Sequence, residues 1–341
     1  MHMANELLSL PVAGGTLAIA GGVLGLICRK AKQVITSEKL ALMGILGAFV
    51  FAAQMVNFRL PAMPGTSGHM VGAVLLAIIL GPHAAAIVMS SVIIVQCLIF
   101  QDGGLLALGC NIINMAIVPT YVGYYLYRIV TAKQFSNLRT YIGVMLACLI
   151  GIEMGAVLVP IETSLSGVLM VPFSTFLATM IGVHFLVGLV ESLITVTVLA
   201  YIQQVRPDIV ADNLQGKIRL SKRAVLTTFV VFTIIIGAGL SLLASGMPDG
   251  LEWSYAERPD QPNFKPVVSN NDSRIAVVDK LQSKYSLMPD YSVRSDGEDK
   301  KIQALAGWRS FAGIFGSITT MVIIWLTAWI LRRNNPKTVA V

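Results

Sequence analysis

Only four histidines occur in this sequence, His2, His69, His83 and His184. His2 stands second, behind Met1. Methionine aminopeptidase spares a methionine that precedes a bulky residue, so the sequence predicts a free Met1 amine followed by His2. Such a dipeptide is a chelator. The amine nitrogen and the deprotonated His2 amide close a five-membered ring on a metal, and the His2 imidazole Nδ1 closes a six-membered one. Three nitrogens then share a plane, and one more imidazole would complete a square-planar set of the kind favoured by Ni(II) or Cu(II). The dipeptide alone does not make a site, since a histidine in second place is often incidental.

His69 offers the further imidazole. It closes Pro64-Gly65-Thr66-Ser67-Gly68-His69, a stretch whose glycines permit a tight turn and whose Thr66 and Ser67 hydroxyls could hydrogen-bond to a ligand. The plainer reading is a capped helix start with a histidine in its first turn. His83 follows Gly81-Pro82 at an inner turn and is read as structural. His184 and Glu191 are seven apart, on one helical face, and Glu153 in the preceding span could join them. Intramembrane ionisable groups are functional candidates by default, yet a buried structural network explains these three better than a translocation relay. Met55, Met63, Met70 and Met115 are scattered thioethers, read as packing. Cys28, Cys97, Cys110 and Cys148 share no CxxC spacing and are also assigned to packing.

Catalysis finds little support. The sequence has no GxxxxGK[ST] phosphate loop, no GxSxG, no HExxH and no helical carboxylate–histidine set. Any ATP-driven work must come from a partner, and the chain is not read as an enzyme.

The elements that must position the histidines are membrane helices. Of 341 residues, 55% are hydrophobic and 13% charged, against roughly 25% charged in soluble domains; the mean hydropathy is +0.74. A span takes about 20 apolar residues, and the runs fall at 10–28, 40–57, 69–81, 83–100, 105–127, 141–159, 176–203, 225–244 and 309–331. They are too long and too uniformly apolar for barrel strands. The expected fold is all-α and integral to the membrane, a seven-helix bundle followed by a two-helix C-terminal unit.

The net charge of +7 is spread between the apolar runs and argues against nucleic-acid binding. Alternate segments carry Arg29, Lys30, Lys32 and Lys39, then Arg128, Lys133 and Arg139, then Arg206, Lys217, Arg219, Lys222 and Arg223, and finally Arg332, Arg333 and Lys337. The opposite short loops hold Arg59, with Arg309 at a span edge. The positive-inside rule therefore sets the N-terminus outside and the C-terminus inside. Because the basic cluster follows the first apolar run, that run is expected to be a retained anchor and not a cleaved signal. Residues 1–203 form one unit, 204–224 a basic cytoplasmic linker marked by Pro207, Asp208, Asp212 and Asn213, and 225–341 a second unit. The second unit encloses an outer loop, 245–308, with ten acidic and eight basic residues.

Taken together, these features resemble the NikM/CbiM family, the metal-capture components of energy-coupling-factor importers for nickel and cobalt. The matching residues are Met1-His2 with Leu7-Leu8-Ser9, Gly65-Thr66-Ser67-Gly68-His69, and Gln101-Asp102-Gly103-Gly104-Leu105 leading into Gly109-Cys110-Asn111-Ile112-Ile113-Asn114-Met115. Pro248-Asp249-Gly250-Leu251-Glu252 looks like the opening of the family's N-type accessory component. The resemblance implies that the Met1 amine, the His2 amide and ring, and the His69 ring ligate the metal, with the tail plugging the bundle from outside. Asn111 and Asn114, with Asp102 and Gln101, would orient those ligands. Relatives commonly read Met-His-Ile-Pro-Asp-Gly where this chain has Met3-Ala4-Asn5-Glu6 after the dipeptide, so the path of the tail does not carry over.

Small residues recur at four-residue spacing, as Gly14/Ala18/Gly22 and Gly44/Ala48/Ala52. Such stripes let helices approach closely in lipid, and the resemblance suggests that the second stripe faces the transmembrane coupling subunit. The expected function is capture of Ni(II), or Co(II), without an organic cofactor, at the outer face of a prokaryotic cytoplasmic membrane. Import would be driven by partner ATPases through the coupling subunit. Two rivals remain at this level. One is energy-coupled uptake of an organic micronutrient, which predicts an aromatic-lined pocket; the other is a membrane scaffold or sensor that does not transport.

Overall fold

The computed structural model describes residues 1–131, 137–210, 217–256, 258–261, 263–292 and 306–333. Lys133, Asp212, Asn213, Lys337 and residues 293–305 of the outer loop lie outside the described residues. Among those described, seven helices are long and apolar enough to cross a membrane: Leu10–Ala31, Ser37–Gln54, Pro82–Phe100, Leu138–Leu165, Phe173–Val205, Lys222–Leu243 and Gly307–Arg333. We label the helices α1 (Leu10–Ala31), α2 (Ser37–Gln54), α3 (Ala73–Leu80), α4 (Pro82–Phe100), α5 (Leu108–Asn111) and α6 (Val118–Thr131). They continue with α7 (Asn137–Leu165), α8 (Phe173–Val205), α9 (Lys222–Ile234), α10 (Gly250–Tyr255), α11 (Ser273–Tyr285) and α12 (Ala306–Arg333).

Two expected spans differ from the rest. The third, read at 69–81, is helical only over the eight residues of α3, about 12 Å against a hydrocarbon core of about 30 Å. Residues 69–72 are not helical, and Gly72 caps α3 at φ 81°, where a Cβ would meet Val50 Cγ1 at 2.7 Å. Exposed backbone polar groups are costly inside a bilayer. Glu191 of α8 resolves this locally by accepting the Val71 and Gly72 N–H groups at 2.5 and 3.0 Å, while Gln54 Nε2 donates to the Val71 carbonyl at 2.7 Å. Glu191 thus completes a broken helix through backbone bonds, and not through His184 or Glu153. The fifth expected span is composite, α5 running into a π-helical stretch, Ile112–Ile117, and then α6. The wide turn carries Asn114, whose carbonyl lies where a Cβ on Gly155 of α7 would sit, 2.1 Å away.

The Gly44/Ala48/Ala52 stripe requires a correction. That face of α2 is covered from within the chain by α12 and the stretch after α9. A Cβ on Gly44 would meet Met321 at 3.3 Å, Ser317 Oγ donates to the Ala48 carbonyl at 3.4 Å, and a Cβ on Gly237 would reach Ala52 at 3.6 Å. Ala52 has no exposed surface. The stripe binds the C-terminal unit, which the sequence could not show because any small-residue face suits any close partner. The α1 stripe is bare by contrast, with nothing within 4 Å of a Cβ on Gly14 or Gly22.

The remaining expectations have simple outcomes. Lys222 is paired with Glu38, so the first turns of α2 and α9 lie at one end of the molecule. His83 Nδ1 is 2.6 Å from the Tyr121 hydroxyl. His184 Nδ1 is 2.8 Å from the Met180 carbonyl, an ordinary in-helix bond. Both Glu153 carboxylate oxygens are buried and have no hydrogen-bond partner among the described residues. Cys97, Cys110 and Cys148 are buried, and all four cysteines are unpaired.

The outer end is roofed. A two-residue hairpin pairs β1 (Phe58–Arg59) with β2 (Ser67–Gly68), in register Phe58 to Gly68 and Arg59 to Ser67, with Gly65 at φ 86° near its tip. The outer loop lies against the bundle through Met170 N–H to the Val267 carbonyl, Ser269 N–H to Val168 and Met288 N–H to Ile99.

Candidate metal centre

The N-terminal tail enters this roofed end. Met1 and Met3 are 4% and 0% exposed, and a single 3-10 turn, Asn5–Leu7, leads into α1. Buried extended backbone needs partners, and the Gln101–Leu106 segment and Asn111 at the end of α5 supply them. Met3 N–H donates to Asn111 Oδ1 at 2.7 Å, and its carbonyl accepts Gly104 N–H at 2.8 Å and Asn111 Nδ2 at 3.2 Å. Asn114 Nδ2 donates to Glu162 at 2.7 Å and lies 3.6 Å from Met3 Sδ. The glycines of Gln101-Asp102-Gly103-Gly104 have a steric purpose. A Cβ on Gly103 would fall 2.8 Å from Asn111 Nδ2 and 3.3 Å from His2 Cβ; one on Gly104 would strike Asn5 Oδ1 at 2.3 Å.

The departure at positions 3–6 also finds its explanation here. Asn5 replaces a turn residue with a clamp. Its Oδ1 accepts Leu106 N–H at 2.7 Å and its Nδ2 donates to Asp279 at 2.5 Å and Gln282 at 3.2 Å, both on α11. Asn270 Nδ2 donates to the Glu6 and Leu8 carbonyls. The outer loop therefore holds the tail from above.

His2 lies with its two ring nitrogens facing oxygens, Nδ1 at 3.0 Å from Asp102 Oδ1 and Nε2 at 3.2 Å from Gln96 Oε1. Gln96 Nε2 donates to Gln54 Oε1 at 2.8 Å, which links His2 to the Glu191 network. The His69 ring stacks on His2, with centroids 5.5 Å apart at 19°. His69 Nδ1 is 3.0 Å from the Met70 carbonyl, to which it donates as the Nδ1–H tautomer. This leaves the Nε2 lone pair facing the centre, 4.0 Å from Asp249 Oδ2. The Met1 amine is 3.3 Å from the same oxygen.

Met1, His2 and His69 are thus gathered but not closed into a plane: the rings are face to face, and Nδ1 of His2 addresses Asp102. Closing a chelate requires the His2 ring to exchange Asp102 for the metal. Among the described residues, no three His, Cys, Asp or Glu side chains converge on one point, so a metal here depends on the backbone nitrogens of the tail. Thr66 and Ser67 do not reach the histidines. Their hydroxyls go to the Pro248 carbonyl, at 3.4 and 3.1 Å, and Ser67 Oγ also reaches Met247.

A cavity of about 560 Å³ opens over the site, lined by His2, His69, Gln101 and five carboxylates, Asp102, Asp249, Glu252, Asp279 and Asp290, with Arg309 as the one Lys or Arg on its wall among the described residues. Among the described residues, Tyr255 and Tyr291 are the tyrosines on its wall. Burial acts to raise the Asp102 pKa, but the charge and hydrogen bond of His2, then the Tyr291 hydroxyl at 2.5 Å, outweigh it and hold the group at about 2. For Asp249, burial is likewise outweighed, by the Met1 amine, His69 and the Glu252 N–H, and its carboxyl is held far below the usual range. Both remain carboxylates, so the cavity is a cation-attracting mouth.

Sequence reasoning missed Asp249, Gln96, Gln54, Gln282 and Tyr291 as site residues. Gln54 and Gln96 were visible as amides within apolar runs; Asp249 was read only as part of a family marker.

Residues 2–209 match the model for the cobalt uptake substrate-specific transmembrane region, and residues 223–333 match the PDGLE domain. The chain belongs to this cobalt-uptake family. A protein of Archaeoglobus fulgidus, assigned the name fused nickel transport protein NikMN, is 38% identical over 250 residues, 73% of this chain and 80% of its own. A Lactiplantibacillus plantarum protein, assigned as fused nickel transport protein LarMN, is 32% identical over 75% of this chain and 79% of its own. A crystal structure described as a truncated transition metal transporter superposes with a TM-score of 0.52 at 31% identity, covering 59% of this chain and 98% of that one. As a member of the cobalt-uptake family joined to a PDGLE domain, the chain is a multi-pass membrane component of cobalt or nickel transport.

Proposed function

We propose that this protein captures Ni(II), with Co(II) as the second candidate, through a free N-terminus at the outer face of a prokaryotic cytoplasmic membrane. The observation that carries the reading is the convergence of the Met1 amine, the His2 ring and His69 Nε2 under an acidic cavity. The ligands are the Met1 amine, the His2 amide and Nδ1, and His69 Nε2. Divalent preference rises from cobalt to nickel to copper at nitrogen sites, so an all-nitrogen plane favours nickel over cobalt. Asn111 holds the Met3 backbone and Asn114 lies behind it, while Asp102 holds the His2 ring. Residues 1–203 form the capture unit and 225–341 the accessory unit, joined by the 204–224 linker. Delivery inward is driven by partner ATPases through a transmembrane coupling subunit, because the chain carries no phosphate loop of its own.

The test is nickel titration of purified full-length protein whose Met1 start is verified by mass spectrometry. Beside it stand a variant with one alanine inserted between Met1 and His2, and His69→Ala. The insertion disrupts the two-residue chelate rings and leaves the bundle intact. The expected result is one Ni(II) per chain, with affinity falling about a thousandfold, or about 4 kcal/mol, in each variant. An insertion variant that binds as tightly as the parent would sink the N-terminal chelate.

A further inference from the structure

The accessory unit does more than roof the site. Its Pro248-Asp249-Gly250 turn is sewn to β2, which His69 follows: the Pro248 carbonyl accepts Ser67 N–H at 2.9 Å and Ser67 Oγ at 3.1 Å. Gly250 lets α10 seat on α8, since a Cβ there would fall 2.3 Å from Val183 Cγ1. The Asp249 carboxylate is then split between two tasks. Its Oδ1 caps α10 by accepting Glu252 N–H at 2.8 Å. This fixes Oδ2 toward the centre, 3.3 Å from the Met1 amine and 4.0 Å from His69 Nε2. A helix cap alone does not require the second oxygen to meet an ammonium and an imidazole 248 and 180 residues away.

We propose that Asp249 is the loading ligand of the capture site, a donor contributed by the accessory unit. In the structure Oδ2 holds the Met1 ammonium beside His69. An incoming hydrated divalent cation carries twice the charge of that ammonium and displaces it from the carboxylate, bridging Oδ2 and His69 Nε2. The freed ammonium loses its proton to cavity water. The amine and then the His2 nitrogens take the cation, which leaves the carboxylate because the finished plane is all nitrogen. This inference rests on the capture reading above and adds to it the path of loading.

The experiment is stopped-flow mixing of Ni(II) with full-length protein, followed through the ligand-field absorbance of a planar nickel–amide complex. Asp249→Asn and Asp249→Ser are compared with the parent. Both replacements keep a side chain that caps a helix, and thermal melts verify that α10 is seated. The expected result is a loading rate about tenfold lower or more in both variants, with an unchanged final spectrum. Loading at the parental rate in either folded variant overturns the proposal, as does an altered final spectrum at an unaltered rate. If the parent itself gives no planar nickel absorbance, the capture reading has failed; if the parent does and the variants load normally, only the role of Asp249 has failed.

Discussion

Two carboxylates anchor the two polar clusters of this protein, and they use their oxygens differently. Glu191 has no exposed surface, and its two oxygens accept the Val71 and Gly72 N–H groups where the chain is not helical. Asp249 also serves backbone, but with one oxygen only; the other faces an amine, an imidazole and a cavity. Glu191 is fully buried and Asp249 half-buried, and each lies beside a broken or short helix. What separates them is the valence left after the backbone is satisfied. A carboxylate with none left is architecture, whereas one with an oxygen to spare over a wet, acidic mouth is placed to meet a cation.

Replacing Glu191 should give the largest effect. Glu191→Ala leaves two buried N–H groups without acceptors, at about 1–3 kcal/mol each, so a loss of about 2–6 kcal/mol is expected. A much lower melting temperature should accompany unchanged nickel affinity in the protein that remains folded. Affinity loss exceeding that of His69→Ala would erase the contrast between the clusters and make Glu191 part of the metal path.

The same contrast shows what was legible beforehand. Met1, His2 and His69 were readable because their chemistry belongs to the residue types and needs only a shared side of the membrane. Most helices were readable because a bilayer demands long apolar runs. The non-helical entry to α3 was not, because hydropathy records that 69–81 is apolar but not that Gly72 turns left-handed or that Glu191 arrives to satisfy the backbone. Asp249 was hidden for a related reason. Its partner lies at the other end of the capture unit's sequence, and only the sewing of Pro248 to Ser67 brings the two together. The Gly44/Ala48/Ala52 face was visible as a packing surface, while its partner, α12, was a tertiary fact.

Acidity should sharpen the comparison next. Chelation through the His2 amide expels the amide proton. Affinity therefore falls as pH falls, by about tenfold per unit from this proton, or about 1.4 kcal/mol. Asp102 contributes nothing to this slope, because a group held at about 2 stays ionised throughout the neutral range. Calorimetry in buffers of different ionisation enthalpy counts the protons directly. A flat affinity between pH 6 and 8 would mean that the amide is not a ligand.

Gln96 joins the two clusters, and its replacement should have the smallest and most discriminating effect. When Nδ1 of His2 turns to the metal, Nε2–H still needs an acceptor to fix the ring, and Gln96 Oε1 is already 3.2 Å away. Losing such a supporting bond typically weakens a metal site about 10–100-fold. Gln96→Leu should therefore reduce nickel affinity within that range and also strand Gln54 Oε1, which it now serves at 2.8 Å. Gln96→Glu separates the two losses, since it keeps an acceptor for His2 but cannot donate to Gln54. Affinity restored by glutamate with stability still lowered would assign the His2 bond to the metal site and the Gln54 bond to the architecture. If neither variant changes affinity, the bridge is purely architectural, and the boundary between the clusters runs between His2 and Gln96.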